Sequence, residues 1–347
     1  MKNKSFFKIN TIYFIALTCV AIVFVLGSLG IVVSDVLSSI LIQVIVMFAI
    51  PLILYSTFFK KRPDETFRDC GFKGISAKAV AISFILGILL YILNTFIAAA
   101  SQSIIVLFGY ESIKTRSTIT LNYQLLLKEF ILSAVLPGIC EEFLHRGILL
   151  HANKKHTNPK ICLIISSILF GLTHLNINQF FYATILGLFI GYASLVADSI
   201  YPAIIIHFMN NFLSNYFYYG NFLDFSFAKF INHVESLIMS NFISFIFISV
   251  LSVLTILLAY KILTKQLEQE KIKLKIFKVV SQVKMHTLSI EEAQSKINQM
   301  NLILKRKQLF EMNKTYTKPS FIDKIFLFSS FVLGSLITIS SFIWGII

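Results

Sequence analysis

Two adjacent glutamates, Glu141 and Glu142, stand inside the apolar run "EFILSAVLPGICEEFLHRGILL", with His145 and Arg146 one turn further on. Paired carboxylates in a dry setting can divide acid and base work: a cation holds one ionised while the other takes a proton from water and passes it to a leaving group. On a helix, Glu142 and Arg146 form an i, i+4 pair in the favourable order, and Glu141 points about 100° away together with His145. The spacing therefore predicts a neutralised Glu142 and an available Glu141, just after a Pro137-Gly138 pair that should loosen the helix.

Two more segments carry polar groups at helical spacing. "FGLTHLN" sets Phe170 and His174 one turn apart, and "HFMNN" sets His207 and Asn211 on one face, with Asn210 as the competing amide. Histidine and asparagine are the neutral donors that a developing oxyanion needs. Ionisable groups at membrane depth cost about 2.5–3.5 kcal/mol each on insertion scales. Helix-bridging roles explain one histidine or one glutamate pair well enough, but they do not explain Glu141, Glu142, Arg146, His174, His207 and Asn211 together. Cys140 with His174 as base would be a thiol alternative, but consecutive helical residues point apart and its apolar neighbours do not activate a thiolate. No His-Glu-x-x-His helix occurs. Glu141, His174 and His207 leave a three-ligand zinc site open, so the cofactor expectation is none or zinc.

The elements that must position these groups are apolar helices. Of the 347 residues, 56% are hydrophobic and 14% charged, a balance foreign to soluble domains. About 20 apolar residues cross the ~30 Å hydrocarbon core, and such runs fall at about 10–34, 36–58, 79–108, 123–148, 160–177, 179–197, 200–219, 236–262 and 325–347. The expected fold is all-α, a polytopic transmembrane bundle of about eight to nine spans in the cell membrane. The first run follows Lys2, Lys4 and Lys8 but is too long for a signal peptide. Residues 1–262 form the bundle, with a catalytic core near 120–220; 263–323 are a basic cytoplasmic helical insert, and 324–347 a last span.

Charge sets the orientation. Lys60, Lys61, Arg62, Arg68 and Lys73 follow the second run and Lys154, Lys155 and Lys160 the fourth, while the alternate loops are poorer, with Lys114 and Arg116 in one and Lys229 in another. The richer loops and the N-terminus are therefore cytoplasmic. In the insert, Ser289 and Glu292 make a capping-box pattern that opens a second helix. The net charge of +14 points to anionic membrane lipids as partners. Nucleic acid is not a partner, since no soluble basic module appears. Cys19, Cys70, Cys140 and Cys162 are too scattered for a disulfide framework. One tension remains: His174 falls late in an outward-running span, whereas Glu141 and His207 lie toward the cytoplasm.

The segments "EEFLHR", "FGLTH" and "HFMNN" resemble the Glu-Glu-x-x-x-Arg, Phe-x-x-x-His and His-x-x-x-Asn motifs of the CAAX-protease and bacteriocin-processing (CPBP, or Abi) family of intramembrane proteases. All three occur in family order on separate hydrophobic runs. The resemblance implies that Glu141 activates a water with His174, that Glu142 and Arg146 support the site, and that His207 and Asn211 hold the oxyanion. It implies an intramembrane endopeptidase acting on a membrane-associated peptide or lipidated protein, with metal dependence open. Two other readings are a non-catalytic immunity or scaffold protein of the same family and a proton-coupled transporter. An intact Glu141 and His174 set argues against the first, and the lack of an inverted repeat against the second.

Overall fold

The computed structural model describes residues 3–31, 34–110, 122–284, 289, 291–292, 294–296, 298 and 319–344. Among them there is no strand. The helices are α1 (Lys4–Ser28), α2 (Val36–Phe59), α3 (Pro63–Asp69), α4 (Ala77–Leu107), α5 (Tyr123–Lys155), α6 (Pro159–Thr173), α7 (Ile177–Ala197), α8 (Tyr201–Phe222), α9 (Ser226–Ser240), α10 (Phe242–Lys284) and α11 (Ile325–Trp344). Seven of the described helices are long and apolar enough to cross a membrane. The chain is thus an all-helical, multi-pass membrane bundle. Helices α6 and α8 complete it, the first by being short and apolar and the second by carrying polar groups into the core.

Several edges differ from those the sequence predicts. Helix α1 starts at Lys4 rather than near residue 10, because Asn3 accepts from the Phe6 amide and caps it, while Lys8 reaches the Phe58 carbonyl at 2.7 Å. Helix α6 stops at Thr173 rather than near 177, since Leu175 takes a left-handed φ of 52° and Asn176 caps the next helix. The segment expected to open the eighth span at 236 belongs instead to α9, whose apolar face packs on α8 while Phe227 and Phe230 stay exposed. Helix α10 runs unbroken past residue 262 to Lys284. Ser289 and Glu292 exchange both capping hydrogen bonds, at 2.9 and 3.2 Å. The rest of the insert, and the loop holding Lys114 and Arg116, lie outside the described residues.

Two apolar clusters form the interior. One joins α1, α2, α5 and α6 around Tyr13, Phe143 and Ile148; the other joins α4, α7, α8 and α10 around Leu86, Ile190 and Ile206. The basic ends of the helices are stitched by carboxylates. Asp69 takes Lys61 and Lys155, and Asp198 takes Lys73 at 2.6 Å and Lys154 at 2.7 Å. Burial pushes both carboxyls up, but the lysine hydrogen bonds and charges outweigh it and hold both below the usual range. A carboxyl lowered in the folded state lends stability above its unfolded pKa of about 3.9 and loses it as pH falls further. These links are therefore intact at neutral pH.

This face carries the lysine-rich loops, and the positive-inside rule predicts that it is the cytoplasmic one. Single cysteines at Lys61 and Lys155 should resist an impermeant thiol reagent in intact cells, whereas one at exposed Ser240, on the opposite end, should react. The reverse pattern would invert the bundle.

Candidate active site

Helix α5 is wound unevenly where it carries the glutamates. The α-helical stretch Leu136–Glu142 is flanked by Phe130–Val135 and Phe143–Ala152, both in wider π-helical turns. Pro137 removes one amide donor, and wide turns of this kind redirect side chains. Glu142 and Arg146 point inward and Glu141 points to a gap between α1 and α2.

The inward pair is fully enclosed. Glu142 and Arg146 side chains are each 0% exposed, and Arg146 Nη1 donates to Glu142 Oε1 at 2.8 Å. The same oxygen accepts from His207 Nδ1 at 2.8 Å. Arg146 Nη2 donates to the Gly187 carbonyl at 3.1 Å, and a Cβ on Gly187 would sit 3.3 Å from that nitrogen. Glycine thus lets α7 come close enough to complete the guanidinium's bonding. The guanidinium lies over the Phe170 ring, 4.4 Å from its centroid. The edges of His174 and His207 meet the same ring at 5.1 and 5.4 Å. His145 packs on it as well, at 5.0 Å, so Phe170 is a spacer that fixes one cation and three imidazoles at once.

Glu141 is 13% exposed, with Oε1 accepting from Gln43 Nε2 at 2.7 Å and Oε2 lying 4.0 Å from His207 Nε2. With Glu141, Gln43 and His174 line a cavity of about 550 Å³, which extends along Val20, Phe24 and Ile42. His174 Nδ1 donates to the Phe170 carbonyl at 2.9 Å, so in the neutral ring Nε2 is the acceptor. The short α6 resolves the depth tension. Counted at about 1.5 Å per residue, Glu141 lies roughly 20 Å from Lys155 and His174 roughly 22 Å from Pro159, on two helices joined by one turn. Gly171 permits the tight α6–α7 crossing, since a Cβ there would stand 2.7 Å from the Phe180 carbonyl.

Asn211 stands apart from these groups. Its amide donates to the Ser133 carbonyl at 3.0 Å and its oxygen accepts from Asn210 at 3.2 Å, which ties α8 to α5. Gln43 and a second polar layer were not visible as site groups. His145 donates through Nδ1 to the Glu141 carbonyl at 2.8 Å, and its Nε2 lies 3.1 Å from the Thr173 hydroxyl, itself 2.7 Å from the Tyr13 hydroxyl. A lone glutamine in "LIQVIVMFA" is the one signal that could have found Gln43.

Among the described residues no three His, Cys, Asp or Glu side chains gather closely enough to hold a metal ion. His207 commits Nδ1 to Glu142, and its Nε2 stands 4.0 Å from Glu141 Oε2, somewhat wider than the spacing of two ligands on one tetrahedral ion with bonds near 2 Å.

A family model described as type II CAAX prenyl endopeptidase Rce1-like matches residues 123–213, from the start of α5 into α8. That stretch holds all three motifs, and the family resemblance is borne out over it. No curated protein and no solved structure matches the chain.

Proposed function

We propose that the bundle is an intramembrane endopeptidase that hydrolyses peptide bonds of membrane-associated substrates with a water activated by Glu141. The observation that carries this reading is the meeting of Glu141 and His174 on one apolar-walled cavity at membrane depth, with His207 Nε2 4.0 Å from the same carboxylate. A carboxylate that was only structural glue would be enclosed like Glu142.

In this mechanism the water gives one proton to Glu141 and hydrogen-bonds through its other hydrogen to His174 Nε2, the acceptor left by the Phe170 carbonyl. Its oxygen forms the new bond to the scissile carbon. The electron pair moves onto the carbonyl oxygen, which meets His207. That ring donates through Nδ1 to Glu142 and through Nε2 to the oxyanion, with a hydrogen on each nitrogen. Glu141 then hands its proton to the leaving nitrogen as the C–N bond breaks. Asn211 acts by holding α8, and therefore His207, against α5. No step runs through a metal.

The purified chain in liposomes is expected to cleave a membrane-inserted peptide. His207→Ala should cut turnover by about 10²–10³-fold with little change in KM, as for a donor used in the transition state. Unchanged turnover would remove His207 from the reaction. Peptide bound and released intact by the wild type would favour the non-catalytic scaffold reading.

A further inference from the structure

The cavity at Glu141 is closed toward the basic face and open away from it. Between the site and that face lie Tyr13, Phe143, Leu144 and Ile148, each at most 1% exposed and packed with Ile9 and Ile12 of α1. On the other side the lining follows Val20, Phe24, Gly27 and Ser28 of α1 and Ile42 of α2. Residues 20–28 lie about 24–36 Å along α1 from Lys4, at 1.5 Å per residue, which is the far half of a ~30 Å hydrocarbon layer and its rim. Phe24 and Val25 are well exposed there, and Gly27 has nothing within 4 Å of where a Cβ would be, so the gap between α1 and α2 faces lipid and the far interface.

The lining also restricts what can enter. Among the described residues that line it, Glu141 is the one carboxylate, His174 the one other titratable group, and none is a lysine or an arginine. The volume, about 550 Å³, is in the range of ligand pockets and suits a short stretch of extended peptide.

Taking the peptidase reading as its basis, we propose that the site is entered from the non-cytoplasmic half of the bilayer, through the gap between α1 and α2. Its substrate is then an uncharged, apolar peptide segment lying in that half of the membrane rather than a tail presented from the cytoplasm. The positively charged loops give the direction: the face they mark is the face the packed cluster seals.

Two measurements test this separately from hydrolysis itself. Gln43→Cys, in the cavity, should react with an impermeant thiol reagent applied to the outside of intact cells, and inside-out vesicles should protect it. Adding Gly27→Trp, whose Cβ has nothing within 4 Å, sets a large ring at the open mouth and should abolish the reaction. Labelling from the cytoplasmic side alone would overturn the proposed entry and leave the peptidase reading standing. The second measurement uses single-span reporter proteins with randomised apolar segments, placed either in the non-cytoplasmic half of the span or just past its cytoplasmic end. Cleavage by the wild type, lost in Gly27→Trp, is expected in the first set, and a lysine within the cut segment should lower it by about 10²-fold, the insertion cost of a charge expressed as a rate. Cleavage confined to the second set overturns the proposal. External labelling with no cleavage in either set overturns the peptidase reading and the substrate class that rests on it.

Discussion

Glu141→Gln is expected to remove peptide cleavage, lowering turnover by about 10²–10⁴-fold, the usual contribution of a positioned acid or base. Glutamine keeps the size of the side chain and an oxygen for the Gln43 amide, now held at 2.7 Å, so the cavity walls should stay in place. It cannot take a proton from water. Because Glu141 is partly exposed to the cavity while Glu142 is sealed beneath it, yield and thermal stability in detergent should match the wild type. Cleavage at the wild-type rate by a well-folded Glu141→Gln protein would sink the proposed mechanism at its first step.

The second large effect concerns stability. Arg146→Ala should cost about 3–5 kcal/mol, the usual penalty for stranding one partner of a buried ion pair. Arg146 is tied on three sides, to Glu142 at 2.8 Å, to the Gly187 carbonyl at 3.1 Å and to the Phe170 face at 4.4 Å. Loss of the guanidinium leaves Glu142 with His207 as its remaining donor in a fully enclosed place. The double variant Glu142→Gln, Arg146→Met, which removes both charges and keeps their bulk, should be distinctly less destabilised than Arg146→Ala. Melting curves in detergent decide it, and equal curves for wild type and Arg146→Ala would refute the buried pair as a structural element.

What the sequence made legible was the chemistry that repeats along one helix. The i, i+4 spacing of Glu142 and Arg146 needs only local geometry, and the two meet at 2.8 Å. The apolar runs were likewise legible, since a bilayer imposes their length. Contacts between helices distant in sequence were not. Nothing near Asn211 announces that its amide will reach Ser133 on α5, and nothing near His207 announces that Glu142 will take its Nδ1 hydrogen. Helix ends were hidden for another reason: they depend on single capping residues such as Asn3 and Asn176 and on the left-handed turn at Leu175. Helix α9 reads as hydrophobic in any window that includes 236–240, yet its polar residues Lys229, His233 and Glu235 fit a surface-lying helix better than a spanning one.

The brevity of α6 bears on where the hydrolytic water comes from. Fifteen residues make a rod of about 22 Å, well short of a ~30 Å hydrocarbon layer. The last turn of that rod, residues 170–173, is buried among its neighbours, so the space beyond its end is walled by protein rather than by lipid. His174 is the first residue beyond that rod. Its imidazole therefore opens onto the cavity where the rod ends, and by the proposed entry a water molecule has only the ~8 Å between that end and the far edge of a ~30 Å layer to cross.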